Sequence, residues 1–404
     1  MKTIDIIYGP SLKQVQGVNY VNNSFVVGQK YFHQNGLKLG IIQSHEETFV
    51  CEEHVRLDTI GADVSRIKKS SNVKWKKVLK KIIPLNSFIV SRIIFYYLYT
   101  NPAKIAIKKY LKLQRKSQYV MFHQLDDLYM FLKATEGKRD NVKTIWMNHG
   151  DGFPMLMYKI TYPAAFKYEW YNRLFFYPAY RYVCEHVDKV VFLSKKAYDT
   201  CRDVPNERKT FIWNGEDDLP DVQLKHTGEV VEVVCIGSMN YRKGQDKLIE
   251  SLQYIHEDVL IKIHFNIVGG GTQQKELEQY VADHHFEKYV KFWGVRNDVP
   301  ELLKKMDLFI LPSLSEGMPM VIIESMRQGL YILCTDTGGC KEMIRPEFGQ
   351  IISREPKEIA EAITDVVING KITDEARRAA RDFYLNYLTL KTNIDNFSRM
   401  FLSL

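Results

Sequence analysis

The feature that most limits what this 404-residue chain can fold into is an alternation of two patterns. Short β-branched or aromatic runs recur along the whole length, each followed by a longer stretch with helical spacing. In the first half the runs are TIDIIYG, LKLGIIQ, YVMFHQ, KTIWMNHG, KVVFLS and KTFIWNG. The second half has VEVVCIG, IHFNIVGGG, YVKFWGV, DLFILPS, LYILCTDTGG and GQIIS. Most are continuous apolar runs, as expected of strands covered by helices on both faces. Strand–helix alternation of this kind builds parallel sheets. The chain is too long for one core, so two doubly wound α/β domains are expected. The unperiodic NGEDDLPDVQLKHTGEV, rich in Asp, Pro and Gly, marks a linker between them. The domains are read as 1–218 and 219–384, with 385–404 a terminal helix crossing back to the first. Ligands of such sheets bind at the C-terminal ends of the strands, so the expected site is a cleft where the two sets face each other.

A composition of 45% hydrophobic and 26% charged residues fits a globular protein. Six scattered cysteines form no CxxC and no Cys/His cluster, which points to a reducing cytoplasm without disulfides or zinc. The start, MKTIDIIYGPS, lacks a signal-peptide pattern, so a cytoplasmic location is expected. The net charge of +8 is unevenly spread: residues 64–125 hold fifteen Lys or Arg and no Asp or Glu, leaving the remainder net acidic. Inside that segment SFIVSRIIFYYLYT is interrupted by Arg92 and is shorter than the roughly 20 apolar residues of a membrane span. Lysines beside bulky apolar side chains suit the surface of an anionic membrane. A solvated basic face over a helical insertion is the equal alternative. No nucleic-acid-binding pattern accompanies the charge, so nucleic acid is not expected as a partner.

Four stretches carry chemistry. In VVCIGSMNYRKGQDKLIESL a strand ends at Gly237, and Arg242, Lys243 and Gly244 lead into an amphipathic helix. Cations at a helix N-terminus suit phosphate, although an ordinary loop with solvated charges has the same composition. In FNIVGGGTQQKEL the glycines 269–271 either admit a ligand to the backbone or only allow a tight turn. Neither stretch is a GxGxxG or GK[ST] fingerprint, which sets a nicotinamide dehydrogenase aside. The third stretch, LPSLSEGMPMVIIESMRQGL, spaces Glu316 and Glu324 around an apolar run, with Pro319 expected in the first turn of the helix that follows. A diphosphate can rest on that helix start, at Gly317 and Met318, while each carboxylate accepts hydroxyl hydrogen bonds. Glycines return at a strand end in the fourth, TDTGGCKEMI.

The order of these motifs, GSMNYRKG, IVGGG, VKFWGV and then SEGMPMVIIES, resembles the C-terminal half of the family 4 retaining glycosyltransferases, the glycosyl transferases group 1. That family has the GT-B fold, two Rossmann-like domains facing each other across a cleft. The match is close over residues 230–350 and fainter in the first half, through FHQLDD, MNHG and WNGEDD. The resemblance implies that Glu316 binds the donor sugar near the reacting centre and that Glu324 holds the nucleotide ribose. Lys243 matches the lysine that neutralises the donor diphosphate. The family often places Arg after the first glycine; here that residue is Ser238, and Arg242 is the candidate replacement. Gly17 matches the N-terminal phosphate loop, and His149 matches the active-site histidine of the first domain. His123 is read as structural or supporting, and Asn214-Gly215 as the family's Asn-Gly turn. The remaining donor contacts implied are Gly237, Gly269, Gly317, Met318, Pro319 and Met320.

The reaction implied is retaining transfer from a nucleotide-diphosphate sugar, UDP-sugar favoured, to a hydroxyl of a glycan or polyprenyl-linked acceptor in envelope polysaccharide synthesis. No metal site and no further cofactor are expected: no DxD ends a strand, and the Asp126-Asp127 pair lies in an unconvincing context. A sugar-nucleotide 2-epimerase and a non-catalytic carbohydrate-binding protein on the same fold are the competing readings.

Overall fold

The computed structural model describes residues 1–8, 18–42, 49–50, 87–113, 116–139, 141–150, 155, 158–159, 163–219, 222, 224 and 230–404. Gly17, residues 64–86 of the basic segment and part of the expected linker lie outside them. The chain forms two compact units: residues 1–192, 198–212 and 394–404 make the first, and residues 193–197 and 213–393 the second.

The first unit is built on seven strands: β1 (Lys2–Ile7), β2 (Leu37–Ile42), β3 (Phe49–Val50), β4 (Tyr119–Phe122), β5 (Lys143–Asn148), β6 (Lys189–Phe192) and β7 (Lys209–Phe211). Their order is β3-β2-β1-β4-β5-β6-β7. All neighbours pair in parallel except β3, which runs antiparallel to β2. That edge strand departs from the all-parallel expectation, and at two residues it is too short to leave a hydrophobic period. The end of the Leu390–Leu402 helix completes this unit. Phe397 packs edge-on against Phe25 at 5.0 Å, and Asn35 Nδ2 donates to Asp395 Oδ1 at 2.8 Å.

The second unit holds β8 (Val231–Ile236), β9 (Ile263–Val268), β10 (Val290–Gly294), β11 (Leu308–Leu311), β12 (Tyr331–Thr335) and β13 (Gly349–Ile352), all parallel. The twelve runs read as strands in the sequence are thus the parallel strands of the two sheets. In β11, LFIL, all four side chains are fully buried. Such burial is worth about 1.5–3 kcal/mol for each large aliphatic or aromatic group. The Pro356–Ile368 helix shows how a face is chosen. Pro356 opens it where a missing N–H costs nothing, and Ile359, Ile363 and Val366 recur at helical spacing and bury onto the sheet.

The strand order β10-β9-β8-β11-β12-β13 reverses direction between β8 and β11. At such a switch point adjacent strands send their connections to opposite faces, which opens a crevice at their C-terminal ends. The loops after β8 and β11 are the two that hold the cationic and the Glu-containing motifs. The first sheet reverses in the same way between β1 and β4, and the histidine motifs follow β4 and β5.

Two glycines let the loops of the second unit close on each other. Gly244 opens the Gln245–Ser251 helix at φ +76°, and a Cβ there would lie 2.1 Å from the Pro312 carbonyl oxygen. Gly269, at φ +132°, would bring a Cβ to 2.0 Å from the Gly237 oxygen. Gly269 thus seats the β9 loop directly on the β8 loop, and Met239 N donates to the Gly270 oxygen beside it at 3.1 Å. We expect Gly269→Ala to lower stability by at least about 2 kcal/mol, since it combines a disfavoured φ with a backbone clash. Urea denaturation checks this, and an unchanged midpoint would show that the two loops can separate freely.

Candidate functional site

The centre of the site in the second unit is one carboxylate. Glu316 follows β11 and is 6% exposed. Its Oε1 accepts from Lys243 Nζ at 2.7 Å and from Ser313 Oγ at 2.8 Å, and Arg242 Nη1 lies 3.2 Å away. The same guanidinium donates to the Ser315 carbonyl at 2.7 Å, so Arg242 is fastened to the loop that carries Glu316. Leu314 N donates to the Arg242 carbonyl at 2.7 Å, which joins the two loops through their backbones as well. Burial pushes the Glu316 carboxyl up. The opposing charges of Lys243 and Arg242, with the Lys243 and Ser313 hydrogen bonds, outweigh it and hold the group below its ordinary range. Glu316 is therefore an anion flanked by two cations.

Lys243 is placed by its loop. Its backbone N–H donates to the Asn240 carbonyl, and its stem lies along Gly237, where any Cβ would meet Lys243 Cδ and Cε at 3.3 Å. Gln245 Nε2 donates to the Gly237 carbonyl at 3.2 Å, and Ser238 is part-exposed beside it. Arg354 braces the far side, donating to the Pro312 and Tyr241 carbonyls at 3.0 and 2.9 Å.

Beyond Glu316 the chain turns into the Met320–Arg327 helix. Pro319 is the residue just before its first turn rather than inside it, with extended backbone at φ −71°, ψ 119°. The first N–H groups of a helix have no intrahelical acceptor, so this start presents donors and positive dipole beside the two cations. Met318 is fixed by Asn214, whose N and Nδ2 donate to its Sδ at 3.1 Å and its carbonyl oxygen at 3.2 Å. Gly339 N donates to the Gly317 carbonyl at 2.7 Å, bringing the glycines after β12 to the same loop. Glu324 sits about one turn inside the helix and is buried. Ser313 and Arg354 were not singled out in the sequence. Ser313 lay in plain view as the residue ending the DLFILPS strand, whereas Arg354 had no local signal.

In the first unit the predicted His149, at the end of β5, pairs with His123, at the end of β4. His123 Nδ1 and His149 Nε2 are 2.7 Å apart. Burial holds the His123 imidazole well below its ordinary pKa, with the charge of His149 acting in the same sense, and burial brings His149 down to about 4. Both rings are neutral at pH 7, so one donates to the other. Of the adjacent Asp126 and Asp127, where no metal is expected, Asp127 is buried in the first turn of the Leu125–Ala134 helix with no hydrogen-bond partner among the described residues. Burial, followed by the neighbouring Asp126, pushes its carboxyl well above the usual range. No cluster of three or more metal-ligating side chains occurs among the described residues.

Residues 219–383 match the family described as glycosyl transferases group 1. A UDP-Gal:alpha-D-GlcNAc-diphosphoundecaprenol alpha-1,3-galactosyltransferase of Escherichia coli is 28% identical over 173 residues, 42% of this chain and 44% of the relative. An N,N'-diacetylbacillosaminyl-diphospho-undecaprenol alpha-1,3-N-acetylgalactosaminyltransferase of Campylobacter jejuni is 28% identical over 153 residues, 37% of this chain and 39% of the relative. The chain thus spans about half or less of the length of these curated relatives. Solved structures extend the likeness over the whole chain. Anabaena HepE in complex with UDP-glucose has a TM-score of 0.66 at 17% identity, and sucrose-phosphate synthase from Thermosynechococcus elongatus 0.70 at 15%, each covering 100% of both chains. The fold is that of the GT-B glycosyltransferases.

The histidine pair generates a pH prediction. A histidine whose folded pKa lies near 4 binds its proton more readily in the unfolded chain, so stability is lost as pH falls from about 6.5 towards 4. We expect His149→Gln to flatten that slope by at most about 1.4 kcal/mol per pH unit, the worth of one proton. Denaturant midpoints across the window measure it, and an unaltered slope would show that His149 is hydrated and charges freely.

Proposed function

We propose that this protein is a retaining glycosyltransferase of family 4 that moves a sugar from a nucleotide-diphosphate sugar, UDP-sugar favoured, to a hydroxyl of a lipid-linked acceptor. The observation that carries the reading is the Lys243–Glu316–Arg242 cluster at the switch point of the second sheet, next to a helix start. Departure of a nucleoside diphosphate from an anomeric carbon builds negative charge on the phosphates while the sugar becomes oxocarbenium-like. Lys243 and Arg242 are cations with their positions already set, and the N–H groups of Gly317, Met318 and Met320 add fixed dipoles. Charge stabilisation of this preorganised kind is usually the largest catalytic term. Glu316 aims the cations, and it remains ionised at neutral pH to accept hydrogen bonds from the donor sugar. Glu324 is assigned the ribose hydroxyls, and His149 acts as a neutral imidazole towards the sugar. Retention without a covalent nucleophile implies attack from the face that the leaving group vacates, so no nucleophilic side chain is assigned.

The names of the relatives support an undecaprenyl-diphosphate-linked acceptor, and we place the transfer in envelope glycan assembly. An acceptor of that kind is presented at a membrane, and we place the protein peripherally on the anionic inner face. No described helix is long and apolar enough to cross a bilayer.

We expect Glu316→Gln and Lys243→Ala to lower transfer by at least about a hundredfold, the usual cost of losing one preorganised electrostatic contact. Circular dichroism should show that both keep the fold. Transfer is followed with radiolabelled UDP-sugars and a polyprenyl-diphosphate glycan. Full activity in either variant would overturn the site, and an isomerised sugar released from donor alone would overturn the transfer reading.

A further inference from the structure

The part of the first unit that the transfer reading leaves unused is a pair of packed helical segments with an unusual surface. One runs through the helix Phe88–Phe95, a wider turn Tyr96–Thr100 and the helix Asn101–Leu111. The other runs from Pro163 through Glu169–Tyr171 to the helix Tyr177–His186. Aromatic contacts join them: the Phe88 ring lies 5.1 Å from Tyr168 and 5.2 Å from Tyr171, and Phe95 lies 5.4 Å from Phe166. Arg92, the residue that interrupts the apolar run, is inside this seam. Its guanidinium lies over Tyr171, Phe166 and Phe95 at 4.7, 5.0 and 5.2 Å.

With Phe88, Arg92 and Phe95 turned into the seam, the other side of the same helix faces water. Ile89, Ile93 and Tyr97, four residues apart and so on one helical strip, are 68%, 51% and 64% exposed. The second segment does the same with Trp170, Leu174 and Phe175, at 57%, 63% and 58%. Single exposed apolar residues need no explanation. Six large ones on two joined segments are more than a monomer ordinarily leaves in water. The surrounding charge has one sign. Lys104, Lys108, Lys112, Lys167 and Arg173 are exposed on the same two segments. The single acid within 87–112 and 163–181 is Glu169, already bonded to Lys159 and Tyr177.

We infer that these two segments form one membrane-docking surface, in which Ile89, Ile93, Tyr97, Trp170, Leu174 and Phe175 enter the headgroup layer of an anionic bilayer. Lysines and Arg173 around them meet the lipid phosphates. This rests on the peripheral placement proposed above and goes beyond it by naming the surface, half of which lies outside the basic segment 64–125. Exposed aromatic and aliphatic side chains on segments whose exposed charges are Lys and Arg match the boundary between acyl chains and anionic headgroups. A protein partner of equal size would gain from acidic residues opposite its own cations, and this surface offers none unpaired.

The test is sedimentation of the full chain with phosphatidylcholine vesicles, with and without phosphatidylglycerol. We expect binding only to the anionic vesicles, weakened by salt. Trp170→Ser, Leu174→Ser and Phe175→Ser combined should reduce partitioning by about tenfold or more. Lys104→Glu, Lys108→Glu and Lys112→Glu combined should remove the preference for anionic lipid. All six positions are exposed, so folding is not at risk, and thermal stabilisation by UDP should be retained in both variants. Wild-type partitioning by the serine variant overturns the inference. So does a concentration-dependent dimer that the serine changes abolish without any vesicle binding. Loss of UDP stabilisation in the wild-type chain, with vesicle binding intact, would instead count against the transfer reading alone.

Discussion

The second unit depends on a carboxylate kept ionised where water hardly reaches it. A buried Glu316 would bind a proton were it alone, and its charge survives because two cations and a hydroxyl converge on one oxygen. The dependence is mutual. Without Glu316, Lys243 and Arg242 would repel each other at the same loop junction, and a buried charge stripped of its partner costs more than the pair contributes when whole. That cluster therefore ties the β8 loop to the β11 loop. It also keeps two positive groups at the crevice that strand order creates. The proposed chemical role falls on the same three side chains as this structural one.

Glycine makes the junction possible. The loops after β8, β9 and β11 touch through backbone atoms, at Gly237 with Gly269 and at Gly244 with Pro312. In IVGGG the glycine at 269 brings two loops into backbone contact. A phosphate-binding crevice needs such closeness, because it brings cations and helix dipole from three separate connections to one place. Away from the crevice, Arg377 and Asp307 form a buried ion pair, and Asp307 Oδ2 also accepts from Glu232 N at 2.9 Å. Through these contacts the start of β11 is tied to β8 and to the Asp374–Tyr387 helix.

Legibility varied with the range of the interaction. Strands were readable because a doubly covered strand must be apolar on both faces, and that leaves a continuous run in the sequence. The Phe49–Val50 edge strand left no such run. Lys243, Glu316 and the helix start were readable because loops that follow strands carry motifs of fixed length. Convergence was not readable. Nothing local places Arg242 on the Ser315 carbonyl or pairs His123 with His149. Arg92 is a sharper case: in the sequence it interrupts an apolar run, whereas in the fold it is packed among three aromatic rings.

By itself, then, the sequence determined the parallel strands of the two sheets and the order of the motifs that follow them. Periodicity and loop motifs are local properties, written in order along the chain. Only the tertiary structure decided which charges meet, which glycines are spent on backbone contact and which apolar residues stay in water. Those outcomes depend on strand order and on which face each helix buries. Residues 73 positions apart, such as Lys243 and Glu316, become neighbours only when β8 and β11 lie side by side.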